Sequence, residues 1–129
     1  MSILHGQHNK KACDFLLESG EFNDWVITTA FYSALHYLES ELFPLSLTNN
    51  SGRTNNYHSF DEYCSENQNY RSKHRLRRSL IEEHLPEISI EYNTLMDLCW
   101  TARYSNYQHE KETAEWAKQN LEQIISFIE

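Results

Sequence analysis

Between Asn23 and Phe43 apolar side chains recur at three- and four-residue spacing on more than one side of a helical wheel. One stripe is Trp25, Thr29, Ser33, His36 and Tyr37; another is Ile27, Phe31, Leu35, Leu38 and Leu42. A helix with two such stripes needs a neighbour on each, so it belongs at the centre of a bundle. Ala30, Ser33 and Ala34 are small enough to let those neighbours approach closely. Asn23 or Asp24 supplies a side-chain cap for its start, and Pro44 bars continuation past Phe43.

The rest of the chain supplies the neighbours. A first helix is predicted from near Asn9 to the Ser19-Gly20 stop, with His5 and His8 in a frayed N-terminus. Leu45 to Asn56 is rich in Thr, Asn, Ser and Gly and reads as a long mobile loop. Ser59-Phe60-Asp61-Glu62 fits a capping box at the start of a short helix. A basic helix follows from about Ser72 and stops before Pro86. A long helix from Glu87 to Ser105 carries Ile88, Tyr92, Leu95, Met96, Cys99 and Ala102 on one stripe, with Arg103 continuing it. The last helix, Lys111 to Ile128, faces Ala114, Ala117, Leu121, Ile124 and Ile128 inward. Only three Gly and two Pro in 129 residues leave little turn chemistry for a sandwich or barrel. The expected fold is therefore all-α: one domain over residues 1–129, an antiparallel up-and-down bundle of four to five helices.

Composition narrows the function classes. No apolar run approaches the ~20 residues of a membrane span, and the N-terminus lacks the pattern of a signal peptide. Cys13, Cys64 and Cys99 are odd in number and widely spaced, which suits core thiols in a reducing, cytoplasmic setting. The seven His include no HxxxH pair, so no metal ligand set and no cofactor is expected. A net charge of -8 opposes broad polyanion binding. Against that background Arg71, Lys73, Arg75, Arg77 and Arg78 crowd together with His74. Such a run is either a solvated face paired with acids such as Glu82 and Glu83, or a local patch that faces phosphate.

Two sets of residues carry candidate chemistry. Arg103 closes one helix and His109 precedes the next, so a helical hairpin puts both at one end of the bundle. An imidazole that exchanges protons near neutral pH and a guanidinium that stabilises phosphoryl charge suit RNA cleavage without a metal. The same Arg also suits a structural anchor, and the same His an exposed position. His36, His58, Lys73, His74 and Arg77 form a second set, an anion or nucleotide pocket if they converge. On its own His36 reads first as a core His donating to a carbonyl.

The run Asp24-Trp25-Val26-Ile27-Thr28-Thr29-Ala30-Phe31-Tyr32-Ser33-Ala34-Leu35-His36-Tyr37-Leu38-Glu39 resembles the early helix of many HEPN proteins. Lys73-His74-xx-Arg77 and Ala102-Arg103-Tyr104 also resemble segments of that superfamily, and Arg103 and His109 match its signature of Arg, four to six residues, then His. The resemblance implies a bundle that forms a homodimer and joins two Arg/His pairs in one cleft. It implies one of two roles: a metal-independent endoribonuclease of a toxin-antitoxin or defence system, or a non-catalytic module that binds RNA, a nucleotide or a nucleotidyltransferase partner. Active members usually carry a polar residue after the Arg; Tyr104 stands there instead and, with the acidic charge, favours an interaction module that binds a protein partner such as a nucleotidyltransferase, the alternative to a nucleic-acid- or nucleotide-associated module.

Overall fold

A computed structural model describes residues 2–67 and 72–129. Among them are six α-helices and one two-stranded hairpin: α1 (Ser2–Ser19), α2 (Asn23–Leu42), β1 (Leu45–Thr48), β2 (Thr54–Tyr57), α3 (Phe60–Asn67), α4 (Lys73–His84), α5 (Ser89–Tyr104) and α6 (Lys111–Ile128). A single 3₁₀ turn over Pro86–Ile88 joins α4 to α5, where the sequence predicts the long helix to begin. The chain is thus largely helical, with more helices than the four or five expected.

The hub is α2. It packs on α1, α5 and α6, and Val26, Ile27, Ala30, Ala34 and Leu38 are fully buried. On its first stripe Ser33 and Tyr37 are buried, Thr29 and His36 are half-buried, and Trp25 is 54% exposed. Around α2 close Cys13, Leu80, Ile81, Tyr92, Leu95, Leu121 and Ile124. Three buried thiols are free, and burial pushes that of Cys13 up to about 11. Among the described residues no helix is long and apolar enough to cross a membrane.

Three sequence expectations fail for identifiable reasons. Helix α1 starts at Ser2 rather than near Asn9 because its first turns are tied to α2: Ser2 Oγ donates to Glu39 Oε1 at 2.7 Å, and His5 stacks on His36 at 4.0 Å. Gly6 permits that contact, since a Cβ there would lie 2.9 Å from the Tyr37 ring; Ser33 Oγ donates to its carbonyl at 2.7 Å.

The segment read as a mobile loop is an antiparallel hairpin, Leu45 opposite Tyr57 and Thr48 opposite Thr54. Its polar residues bond across the strands, Ser46 to Asn56 and Thr48 to Thr54. At the turn, Asn49 Oδ1 accepts from the amides of Ser51 and Arg53, and Gly52 takes φ +84°.

Asn23 does not cap α2. Phe22 holds the cap position without a side-chain bond, and Asn23 Nδ2 instead donates to the His109 carbonyl at 2.9 Å, tying α2 to the α5–α6 connection. The box before α3 forms in part. Ser59 Oγ accepts from Glu62 N at 3.1 Å, but Glu62 reaches the amide of His58 rather than that of Ser59. Phe60 N donates to Glu39 of α2. Ser72 caps α4 by accepting from Arg75 N.

Candidate functional site

The basic run is divided by helical periodicity. Arg71 lies outside the described residues. Arg75 and Arg78 face one side of α4 with Ser79 and Glu82, where Arg78 Nε pairs with Glu82 Oε1 at 3.1 Å. That side is the solvated, acid-paired face. Lys73, His74 and Arg77, at i, i+1 and i+4, face the other way.

There they meet α5. Trp100, Arg103 and Tyr104, spaced i, i+3 and i+4, line the same cleft as Lys73, His74 and Arg77, and Tyr32 of α2 closes it. Its volume is about 550 Å³, within the range of small-ligand pockets. Trp100 is 58% exposed and its ring lies 4.6 Å from that of Tyr104. The aromatic wall is therefore open to a ligand rather than consumed by the core.

Each cation is held differently. Lys73 Nζ pairs with Asp61 at 3.3 Å in an exposed geometry. Arg77 Nη2 lies 3.1 Å from His74 Nδ1; a guanidinium can only donate, so Nδ1 accepts and His74 is neutral with its proton on Nε2. Burial, and then the charges of Arg77 and Arg103, hold His74 below the ordinary histidine range. Arg103 donates from Nη1 to the Tyr32 hydroxyl. Its guanidinium carbon lies 5.2 Å from the Tyr104 ring centre and 5.7 Å from that of Tyr32. Among the described residues neither Arg77 nor Arg103 is paired with a carboxylate.

The cleft can hold a phosphate and an unstacked base together. Two arginines and a lysine supply charge-assisted donors, and Trp100 with Tyr104 supplies a π-face. Asp61 and Asp97 also line the cleft as acceptors.

The predicted site residues are only partly brought together. Lys73, His74, Arg77 and Arg103 share the cleft. His36 lines an adjoining concavity, stacked on His5 and 3.1 Å from Ser2 Oγ. Burial, and then His5, keep it below the ordinary histidine range. It bonds a hydroxyl, not the carbonyl expected of a core His. His58 is exposed beside Ser2, Glu39 and Pro44 and does not join the set.

His109 lies on the α5–α6 connection, in a groove of about 650 Å³ with Phe22, Asn23, Trp25 and Tyr107. Its Nε2 is enclosed and without a partner among the described residues. No hydrogen bond or ring contact among them joins it to Arg103, and the two line different concavities, with Trp25 bordering both the His109 groove and one that Arg103 lines. Trp100, Tyr32 and Trp25 were not singled out as site residues by sequence. The available signal was a Trp off the apolar stripe of α5, four residues before Tyr104.

Among the described residues no group of three or more His, Cys, Asp or Glu is placed to hold a metal ion. No protein-family model, curated protein or solved structure matches this chain at a significant level.

Proposed function

We propose that this chain is a HEPN-like, nucleic-acid- or nucleotide-binding module of the cytoplasm, built as an antiparallel up-and-down bundle that pairs into a homodimer. The α4–α5 cleft is its binding site for RNA or a nucleotide. The observation that carries this is the meeting of Lys73, Arg77 and Arg103 with the exposed Trp100–Tyr104 wall in one pocket. A net charge of -8 confines anion attraction to such a patch, so affinity rests on few phosphates and a modest salt dependence, a slope of roughly -0.7 per phosphate for single strands.

Fluorescence anisotropy with a labelled single-stranded RNA decamer tests it. The R77A/R103A variant should weaken binding at least tenfold, since two charge-assisted contacts are lost at about 1.5–3 kcal/mol each. The R53A variant, on the hairpin turn, should bind as the parent does. Equal affinity of R77A/R103A and the parent would refute the assignment.

A second reading, metal-independent RNA cleavage by Arg103 and His109, is favoured by their bracketing the α5–α6 connection. Because they open on different concavities within one protomer, it requires a site shared between two copies. RNase activity that survives both R103A and H109A removes it. The interaction-module alternative, with a partner such as a nucleotidyltransferase, is favoured by exposed Phe15, Ile90 and Trp116 outside the cleft.

A further inference from the structure

Tyr32 and Arg103 line two concavities at once. Beyond the cleft they also border a pocket of about 390 Å³ walled by His5, Trp25, Thr29 and His36. The ridge between the two is the Arg103 guanidinium donating to the Tyr32 hydroxyl. That bond engages one of five N–H donors and leaves the charge unneutralised.

The second pocket differs in chemistry. Among the described residues Arg103 is its only Lys or Arg. Its other polar groups are the Asn9 amide, the Thr28 and Thr29 hydroxyls and two imidazoles, which suit a base edge and a ribose hydroxyl better than a second phosphate. Trp25 stands at its wall half-exposed although it sits on the most buried helix of the fold. Trp25, Thr29 and His36, the part of the first α2 stripe which the core does not absorb, form one wall of this pocket.

We propose that the Trp25–His36 pocket is a second nucleotide subsite, so that the binding unit is two consecutive nucleotides of single-stranded RNA whose linking phosphate sits on Arg103. The order along the surface is aromatic wall, cation, aromatic wall: Trp100 with Tyr104, then Arg103, then Trp25. That is the order of base, phosphate and base along a strand. The proposal rests on the α4–α5 cleft being the first nucleotide site.

The test is competition against the labelled RNA decamer on the full chain. Adenosine monophosphate, which fills one site, is compared with the 5'-phosphorylated diadenylate pApA, which fills two. One further stacked base should make pApA about tenfold more effective than AMP. W25A should abolish that advantage while AMP competes as before, because Trp25 lies outside the first cleft; W25F should retain most of it. H36N should reduce it in the same direction.

A parent protein that prefers pApA by less than about threefold overturns the second subsite, as does a W25A variant that weakens AMP and pApA equally. R77A separates the two claims. It should weaken both competitors; if it weakens neither while pApA still outcompetes AMP, the first-cleft reading fails and the two-base track must run elsewhere. A decamer that does not bind at all overturns both.

Discussion

Tyr92 sits in the first turn of α5, fully buried, with its ring 5.8 Å from that of Phe31. Its hydroxyl is enclosed and has no hydrogen-bond partner among the described residues. Burial accordingly pushes its pKa up to about 12 despite the nearby charge of Arg77. Replacing Tyr92 by Phe removes a buried polar group and leaves the ring in place. The unsatisfied hydroxyl costs about 1–3 kcal/mol. The void left by one oxygen, of order 10–15 Å³, returns about 0.3 kcal/mol of that at about 24 cal/mol per Å³. The net gain is about 0.7–2.7 kcal/mol. For a chain of 129 residues the unfolding entropy is roughly 0.27 kcal/mol/K, so Y92F should raise the thermal midpoint by about 3–10 °C. Differential scanning calorimetry reads this directly, and RNA affinity should stay at the parental value because Tyr92 does not line the cleft. An unchanged or lowered midpoint would refute the reasoning: the hydroxyl would then be satisfied and part of the support behind Arg77.

Two further outcomes follow from the packing of α1 and the state of the histidines. Gly6→Ala should lower the thermal midpoint even though Ala gains about 1 kcal/mol in helix propensity, because the new methyl meets the buried Tyr37 ring at 2.9 Å and overpacking costs about 1–3 kcal/mol. A raised midpoint would show that α1 slides freely on α2. His36 and His74 are both held below the ordinary histidine value of 6.5. The unfolded chain therefore takes up protons that the folded chain resists, and stability present above about pH 6.5 is lost as pH falls through the depressed folded values. Midpoints at pH 7.5 and 5.5 should differ in that direction, and the H36N/H74N variant should flatten the difference; an equal fall in that variant would assign it to other groups.

Helix placement was legible because periodicity and punctuation agree. Lys111 to Ile128 follows its apolar stripe, and Pro44, Pro86 and the Ser72 cap stand at helix boundaries. The N-terminal start was hidden because what orders it is tertiary, Ser2 on Glu39 and His5 on His36, and neither leaves a local pattern. The hairpin was hidden because its stabilising pairs are polar and mutual, Thr48 with Thr54 and Ser46 with Asn56, and a polar run reads as loop until its partner strand is known. The cleft was half legible. That Lys73, His74 and Arg77 share a side of α4 follows from spacing alone, but that this side meets Trp100 and Arg103 depends on how α4 rotates against α5. The Arg103/His109 pairing illustrates the converse: short separation in sequence placed them at one end of a hairpin but not in one concavity.

The manner in which the two cleft arginines are held bears on why an acidic protein would keep them. With 19 acids to 11 basic residues, a carboxylate partner was available in composition, and elsewhere the chain uses one: Asp14 holds both Lys10 and Lys118, and Glu82 holds Arg78. Arg77 and Arg103 are instead oriented by a neutral imidazole and a phenol. A carboxylate would fix the guanidinium and cancel its charge together. A neutral acceptor fixes it and leaves the charge for a ligand. His74 can serve in this way only while unprotonated, and its burial, with the charges of Arg77 and Arg103, shifts it toward that form. The arrangement is self-consistent for an empty site and responsive to a filled one: a phosphate between Arg77 and Arg103 would offset their charge and raise the proton affinity of His74. Anion binding at this cleft should therefore draw in a proton, and its affinity should rise as pH falls below neutrality.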